Sequence, residues 1–303
     1  MTTITRRQFT SASLATVGAT LLGRAAAAGE ERASGLPTVR WGEHEISRVL
    51  VGHNPIKGTS HFSGELSREM REFFDDDHAH GLELLKRCEQ CGINACQMGG
   101  TGIEELLRRH YAAGGSMKWI ATFYSAPGRG KAELERIVKM DPKPIGAQHF
   151  GGTTDRLARR GELDKALDTI KMLKDAGLMA GLCTHNWEVI DRVENAGWEV
   201  DFYQGSFYRS CDSLKPARSG EIFEEEARQG MARVLSQVSK PAIAYKVLGA
   251  NRHCRNPQAV EAAIGFAFER LKPADVVLLG MWQKYKDQVA ENTAFARKAL
   301  GVA

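Results

Sequence analysis

A regular alternation of short apolar runs with longer amphipathic stretches constrains the fold of this chain more than any other feature of its sequence. Each apolar run is short and bounded by glycine, proline or charged residues, and most contain β-branched or aromatic residues. This is typical of strands buried in a parallel sheet. The runs lie at positions 49–56, 93–98, 119–124, 145–150, 179–183, 200–207, 242–248 and 276–280.

Helical periodicity fills the intervals between these runs. Asn256 followed by Pro257 is the pattern of a helix N-cap with proline in the first helical position. Successive strand–helix units without a linker predict an α/β fold, a single (β/α)8 TIM barrel, with a doubly wound open sheet as the alternative. The helical patterns lie at 80–90, 102–111, 131–140, 163–176, 187–196, 222–238, 257–271 and 284–300.

Three further segments flank the predicted strands. Residues 39–46 precede the first strand, and we expect them to form a hairpin that closes the barrel floor. Residues 57–78 are unusually long for a connection between a strand and a helix, and residues 206–221 are a second long connection. Because long connections at this end of a barrel often cover the site, we expect both to lie over the active face.

The first 28 residues resemble a twin-arginine export signal. Arg6 and Arg7 precede an uncharged run at 11–23, which Arg24 and four alanines follow. The run is shorter than the roughly 20 residues that span a bilayer. We predict a signal peptide at 1–28, a linker at 29–38 and a barrel domain at 39–303, with an N-terminal core helix as the alternative. The twin-arginine translocase is then a partner, the protein is periplasmic or secreted, and no membrane span remains after processing.

Composition excludes several classes of protein. The chain is 43% hydrophobic and 26% charged, which excludes a disordered tail protein. The net charge of +4 includes Arg6, Arg7 and Arg24 of the signal, so the remainder is close to neutral and no nucleic-acid partner is expected. Cys88-x-x-Cys91 lacks a second pair of metal ligands, which favours buried or half-buried thiols over a zinc site.

Polar side chains are concentrated where the predicted strands end. Barrel enzymes carry their active sites at the carboxyl ends of the strands, so this polarity indicates an enzyme that acts on a small molecule. The residues concerned are His53, Asn54, Gln97, Thr122, Tyr124, Gln148, His149, Thr184, His185, Asn186, Tyr203, Gln204, Tyr208, Lys246 and Trp282.

These strand-end residues divide by their expected roles. We take His149, Tyr124, His185 and Lys246 as catalytic candidates: histidines for acid–base chemistry, and Lys246 either for a Schiff base or for binding an anion. His53, His149 and His185 form the alternative, a divalent metal site. The candidates for substrate binding are His53, Asn54, Gln97, Gln148, Asn186 and Trp282.

Several segments resemble the aldo-keto reductase family over most of the chain after the signal. The similar segments are 92–97, 120–123, 144–150, 202–204, 244–249, 278–280 and 288–292. The resemblance implies NADP(H) as cofactor and places His149 on the active-site histidine of the family. It also implies that Gln204 holds the nicotinamide amide, that Tyr245 lies near the stacking region, and that Glu291 and Asn292 contact adenine.

The chain departs from the family at its catalytic residues. Gln97 stands where the family has an aspartate, Phe123 stands where it has a lysine, and no tyrosine follows Gln97. The family uses that tyrosine as its proton donor, so another tyrosine would have to replace it. Tyr124, Tyr203 and Tyr208 are the candidates.

Three hypotheses remain open from the sequence. The first is an exported oxidoreductase similar to the aldo-keto reductases, which acts on a carbonyl or sugar-like molecule with NADP(H). The second is a lyase, isomerase or hydrolase for a carbohydrate-like substrate, which uses the strand-end histidines with or without a divalent metal. The third is a periplasmic binding protein that has lost catalysis. Fold similarity alone does not decide between them.

Overall fold

The computed structural model describes residues 35–124, 128–210 and 221–302. The predicted signal peptide, linker residues 29–34, Cys211 and most of the second predicted covering segment lie outside these ranges. Within them, no helix combines the length and the apolar character needed to cross a membrane.

Eight parallel strands close into a barrel, in the order β3-β4-β5-β6-β7-β8-β11-β12, and β12 pairs with β3. Each of these strands coincides with one of the predicted apolar runs, so the TIM barrel is confirmed and the open sheet is wrong. The strands are β1 Thr38–Trp41, β2 His44–Ser47, β3 Val49–Gly52, β4 Ala95–Met98, β5 Lys118–Phe123, β6 Gly146–His149, β7 Met179–Thr184, β8 Phe202–Ser206, β9 Arg209–Ser210, β10 Glu221–Ile222, β11 Ala242–Tyr245 and β12 Val276–Gly280.

Helices alternate with the barrel strands and surround them. The predicted N-cap is present, because the side chain of Asn256 accepts a hydrogen bond from Ala259 N at 2.8 Å. The helices are α1 Gly64–Phe74, α2 Ala79–Gln90, α3 Thr101–Ala112, α4 Gly130–Val138, α5 Gly151–Arg159, α6 Lys165–Asp175, α7 Trp187–Asn195, α8 Glu225–Gln237, α9 Pro257–Arg270 and α10 Gln288–Ala299.

Two of these helices were not predicted. Helix α1 has apolar residues at helical spacing, Leu66, Met70, Phe73 and Phe74, but its segment was interpreted only as a covering connection. Helix α5 begins with two glycines and buries Thr153, Thr154 and Asp155 rather than aliphatic side chains. Its buried polar face is oriented toward the ends of β6 and β7, where the candidate site lies.

The hairpin of β1 and β2 closes the amino-terminal end of the barrel, as predicted. Trp41 packs its ring against Phe202 with 5.3 Å between centroids, and its Nε1 donates to Ala274 O at 2.8 Å. The hairpin residue Ile46 joins Leu50 in the same apolar cluster. The lower half of the barrel interior is therefore packed with side chains and closed from below.

Side chains alternate between the barrel interior and the layer under the helices. On the first strands Leu50, Ala95 and Ile120 belong to the interior cluster. Their neighbours Val51 and Cys96 belong to the larger cluster between strands and helices. Since successive side chains of a strand point to opposite faces, this alternation fixes which strand-end residues face the mouth of the barrel.

Candidate active site

Four polar side chains continue the inward-facing rows at the carboxyl ends of the strands. By alternation from the interior cluster, these are Gln97 on β4, Thr122 on β5, Gln148 on β6 and Gln204 on β8. Thr122 is directly opposite Gln148 in the register of β5 and β6. Phe123, which the resemblance places at the lysine of the family, faces the helix layer and packs in the apolar cluster there.

The side-chain amide oxygens of Gln148 and Gln204 lie at this mouth without a hydrogen-bond donor among the described residues. Their side chains are 2% and 3% exposed, and within the described ranges their Oε1 atoms have no hydrogen-bond partner. Gln97 differs, because its Nε2 donates to Thr122 Oγ1. A buried acceptor without a donor costs about 1–3 kcal/mol. The two carbonyl oxygens are thus suited to accept hydrogen bonds from N–H or O–H groups of a bound molecule.

Lys57 and Tyr124 form a pair above the ends of the first and third barrel strands. Lys57 Nζ donates to Tyr124 OH at 3.0 Å. The main chain of Tyr124 is held on both sides, since its N donates to Glu133 Oε1 at 2.9 Å and its carbonyl accepts from Thr153 Oγ1 at 3.2 Å. An ammonium beside a phenol oxygen stabilises the phenolate left after the proton has been donated.

Asp155 organises the end of β7 from the first turns of α5. Its Oδ1 accepts from Thr184 Oγ1 at 2.5 Å and from His185 N at 3.2 Å, and its Oδ2 accepts from His185 Nδ1 at 2.6 Å. Asn186 Nδ2 also donates to Oδ1, at 3.3 Å. Asn186 is fully buried and supports Asp155, in contrast to its predicted role in substrate binding. The ring of His185 is therefore fixed with its Nε2 directed away from Asp155.

Tyr245 and Cys183 face the interior next to this pair. The Tyr245 ring packs edge-on against the His185 ring with 5.4 Å between centroids. Cys183 Sγ lies 3.6 Å from Tyr245 OH. Burial raises the pKa of the Tyr245 phenol and raises the pKa of the Cys183 thiol to about 12. Both groups are neutral at physiological pH, so they line the interior as hydrogen-bonding groups and do not act as nucleophiles.

The other two strand-end histidines are turned to other partners. His149 continues the outward row of β6 and shares a hydrogen bond with Thr154 Oγ1 of α5 at 2.7 Å. His53 Nδ1 donates to Gln97 O at 3.2 Å. Burial, reinforced by the charge of Arg156, lowers the pKa of His149 to about 4. Burial, reinforced by the charge of Lys57, lowers the pKa of His53 to about 4. His149 thus lies behind the mouth, so its prediction as the catalytic histidine has no support from this geometry.

A metal site at His53, His149 and His185 is wrong for the described part of the chain. No group of three histidine, cysteine or carboxylate side chains comes together there in an arrangement that could hold a metal ion. The physical reason is that the three rings do not converge: His149 faces α5 behind the strands, His53 lies against Gln97 O after β3, and His185 pairs with Asp155 after β7.

Lys246 follows β11 in a left-handed conformation, with φ of 56°. Its Nζ lies 5.7 Å from the centroid of the Phe223 ring, and Arg252 stacks on the same ring at 3.5 Å. Tyr208 contacts that ring and shares a hydrogen bond of 2.5 Å with His253 Nε2. Lys246 and Tyr208 therefore belong to an aromatic and cationic cluster at one side of the mouth. Tyr203 lies outside the mouth, because its OH donates to Glu194 on α7.

The predicted covering segment 57–78 contacts the rim on opposite sides. Lys57 reaches Tyr124, and Arg252 donates to His61 O at 3.2 Å. Phe73 of α1 packs edge-on against Trp282 at 5.7 Å, so this predicted substrate-binding residue is covered by α1. Asn54, the first residue of this connection, accepts from Thr59 N through its main chain. The segment lies at the carboxyl end of the barrel, as the sequence indicates.

The residues predicted to contact adenine lie on the first turns of α10. Glu291 pairs with Lys286 at 2.5 Å, and Lys284 pairs with Glu69 of α1 at 2.7 Å. Asn292 is buried in the packing of α10. These charged groups are arranged around the end of β12, next to the covering segment.

Sequence reasoning missed Lys57 and Asp155, the partners of Tyr124 and His185. Lys57 had been assigned to a covering segment, and Asp155 lies in a helix without apolar periodicity. The available signal for Asp155 was the polar run from Thr153 to Asp155, which begins four positions after the strand-end His149.

Comparison with known proteins gives the fold and no family. No protein-family profile matches the chain, and no curated protein sequence matches it. A Pseudomonas aeruginosa protein described as an aldo-keto reductase is 19% identical, with a TM-score of 0.53 over 87% of this chain and 94% of its own. A second structure of an aldo-keto reductase from Pseudomonas aeruginosa is 16% identical, with a TM-score of 0.55 over the same shares.

A thermostable aldo-keto reductase, crystallised with the inhibitor epalrestat, is 13% identical, with a TM-score of 0.51 over 88% of this chain and 95% of its own. The chain has the fold of these proteins. At such identities the likeness concerns the barrel alone, and the activity has to be argued from the site.

Proposed function

We propose that this protein is an oxidoreductase that interconverts a carbonyl and a hydroxyl group of a small molecule with a nicotinamide nucleotide, NADP(H). The observation that carries the proposal is the contact of Lys57 Nζ with Tyr124 OH at the mouth of the barrel. Lys57, from the connection after β3, and Tyr124, directly after β5, thereby supply the proton-donating pair that the sequence lacks at its usual positions.

Tyr124 is the proton donor in this proposal. When bound, the nucleotide supplies a hydride to the carbonyl carbon. Tyr124 OH gives its proton to the carbonyl oxygen, and Lys57 stabilises the resulting phenolate until solvent returns a proton. The hydrogen bonds of Glu133 and Thr153 to the main chain of Tyr124 keep the phenol in place during this cycle.

Gln204 fits the nicotinamide end of the cofactor. Its buried Oε1 lacks a donor within the described part of the chain, and a carboxamide N–H is such a donor. At the other end, Lys284 and Lys286 are the cations available to a phosphate, and Glu291 now holds Lys286. We assign the nicotinamide amide to Gln204 and the adenosine part to the first turns of α10.

The proposed substrate is uncharged and carries hydroxyl groups. The side chains of Gln97, Gln148 and Thr122 face the mouth. Their amide and hydroxyl groups are suited to form hydrogen bonds with the hydroxyl groups of a substrate. These inward-facing ends of β4, β5 and β6 carry no charged side chain to bind a carboxylate or an amine. Asn54 and Lys246 stay candidates for contacts at the edge of the mouth.

The deciding experiment compares Tyr124→Phe with Tyr111→Phe. Tyr111 donates its OH to Met117 O, next to the amino-terminal end of β5. Tyr111→Phe therefore removes the same phenol oxygen, but far from the mouth. We expect purified wild type to oxidise NADPH with short hydroxylated aldehydes, Tyr124→Phe to lose about 10²–10⁴-fold in kcat, and Tyr111→Phe to keep its rate. Absence of nucleotide binding by wild type in calorimetry, or equal rates for all three proteins, would overturn the proposal.

Export through the twin-arginine route is a second part of the proposal. It rests on Arg6 and Arg7, the uncharged run and the alanines that follow. Replacing both arginines by lysine should retain the protein in the cytoplasm, whereas the wild type should reach the periplasm or the medium in a shorter form. Equal distribution of the two proteins would show that this segment is not an export signal.

A further inference from the structure

The pair of Asp155 and His185 is built for proton transfer and is not needed for the reaction proposed above. We propose that His185 acts as a base at a carbon next to a carbonyl, and that the protein isomerises or epimerises α-hydroxy carbonyl compounds without a nucleotide. The proposal uses the same mouth and Tyr124, but it does not depend on hydride transfer.

The base is prepared at His185 Nε2. Asp155 Oδ2 accepts from Nδ1 at 2.6 Å, so Asp155 selects the form of the neutral ring in which the proton is on Nδ1 and the lone pair is on Nε2. The side chain is 11% exposed, and among the described residues Nε2 has no hydrogen-bond partner. The nitrogen that can accept a proton is therefore the one that remains accessible.

The orientation of His185 is fixed by its surroundings. Asp155 is buried, and the other hydrogen bonds it accepts, from Thr184, from His185 N and from Asn186, hold its carboxylate against the end of β7. Gly151 allows this approach of α5, because a Cβ there would lie 2.9 Å from Cys183 Sγ and 3.3 Å from His185 Cε1. Such fixed orientation is what general base catalysis requires.

Tyr124 and His185 lie on the same rim of the barrel. Tyr124 follows β5 and His185 follows β7, so one strand separates them and their backbones are about 10 Å apart. The connection after β6 lies between them: Phe150 packs on Tyr124 with 5.0 Å between ring centroids, and Gly151 borders His185. The proposal requires a three- to six-carbon molecule that spans the two side chains.

The reaction is balanced without a further reagent. The C–H bond next to the carbonyl breaks and its proton goes to His185 Nε2, while its electron pair forms the C=C bond of an enediol. The carbonyl oxygen takes the proton of Tyr124 OH, and Lys57 stabilises the phenolate. When Nε2 returns the proton to the former carbonyl carbon, the hydroxyl on the neighbouring carbon gives its proton to the Tyr124 phenolate and becomes the new carbonyl. When the enediol first turns its other face to Nε2 and the proton returns to the original carbon, that carbon is inverted, and the enol hydroxyl gives its proton back to Tyr124.

Deuterium exchange measures this step directly. Full-length protein without nucleotide is incubated in D2O with dihydroxyacetone or D-fructose, and NMR follows deuterium at the carbon next to the carbonyl. We expect exchange at least tenfold above buffer for wild type and a fall to the buffer rate for His185→Ala, partly restored by added imidazole. His44→Gln, on the floor hairpin, should exchange like wild type.

A positioning role for Asp155 has its own readout. Asp155→Asn should lower kcat for exchange more than tenfold with little change in KM, and nitrogen NMR should show that His185 loses its single Nδ1–H tautomer. The proposal is overturned if wild type exchanges no faster than buffer with either compound, or if His185→Ala, folded by circular dichroism, exchanges as wild type does. Since no nucleotide is present, neither outcome bears on the oxidoreductase.

Discussion

Lys57 Nζ and Tyr124 OH meet at 3.0 Å although 67 positions separate the two residues in the chain. Tyr124 directly follows a strand, whereas Lys57 belongs to the connection that also contains α1. Lys57 extends past Gly100, where a Cβ would lie 3.5 Å from its Nζ. The pair therefore depends on the closed barrel, which brings the first and third strands to the same rim.

Lys57→Met should lower the rate of carbonyl reduction about 10–100-fold, because the phenolate of Tyr124 would lose its neighbouring cation. Binding of nucleotide should change little, since Lys57 does not face Gln204. Steady-state kinetics with NADPH check this, with Lys171→Met on the exposed face of α6 as the matched control. A rate equal to wild type would remove Lys57 from the reaction.

His149 makes the stability of the protein depend on pH. Its pKa is lowered from 6.5 to about 4 in the folded chain, so between these values the unfolded chain binds a proton that the native state does not. Stability is fully present above pH 6.5 and falls as the pH drops toward 4, by up to about 3 kcal/mol. The pKa of His53 is also lowered to about 4, so His53 likewise reduces the stability of the protein as the pH falls.

Urea unfolding of wild type and His149→Asn at pH 7.5, 6 and 5 measures this effect. The variant should be less stable at pH 7.5, yet it should lose less stability toward pH 5 than wild type does. Parallel losses in the two proteins would show that His149 is not buried in its neutral form.

The barrel interior has no space for a methyl group at Gly181. A Cβ there would lie 2.3 Å from the ring of Phe202. Gly181→Ala should destabilise the protein by about 1–3 kcal/mol, and the double variant with Phe202→Leu should lose less than the sum of the two single variants. Additive losses in urea unfolding would mean that the two positions do not touch.

The alternation of strands and helices explains how the fold was predictable. The apolar runs give the strands because both faces of each barrel strand are buried: Leu50 faces inward and Val51 faces the helices. Helix α5 could not be predicted from periodicity, which detects helices that bury aliphatic side chains, because α5 buries Thr153, Thr154 and Asp155 instead. The apolar spacing of α1 was present in the sequence but was interpreted as part of a covering connection.

The site was predictable only in part. The strand ends gave Tyr124 and His185, but the sequence could not show which strand-end side chains face the mouth. Gln148 faces inward, and the next residue, His149, faces α5. An error of one residue in the assumed orientation of the strand therefore exchanges their roles. The partners Lys57 and Asp155 could not be found, since tertiary contacts join them to their sites.

The cysteines should differ in reactivity according to burial. Burial raises the pKa of Cys88 and Cys96, which lie in the layer between strands and helices. Cys91 and Cys254 are half-buried, and all four are free thiols. Alkylation of the native protein at pH 8, resolved by peptide mass spectrometry, should label Cys91 and Cys254 long before Cys88 and Cys96. Early labelling of Cys88 would contradict its burial.

Trp41 should be among the most costly residues to truncate. Trp41→Ala removes a buried indole that packs on Phe202 and bonds to Ala274 O, and about 3–5 kcal/mol of stability should be lost. Trp41→Phe should cost less, since it keeps the ring contact. Thermal unfolding of the two variants distinguishes them, and equal midpoints would show that the ring contact contributes nothing.

The hairpin that carries Trp41 and the packed interior above it close the lower end of the barrel, so the strand ends can be approached from the mouth and not from the floor. Two ligands that meet at these strand ends therefore approach from the same side. Where they overlap, the one that lies closer to the strand ends has to bind first and leave last.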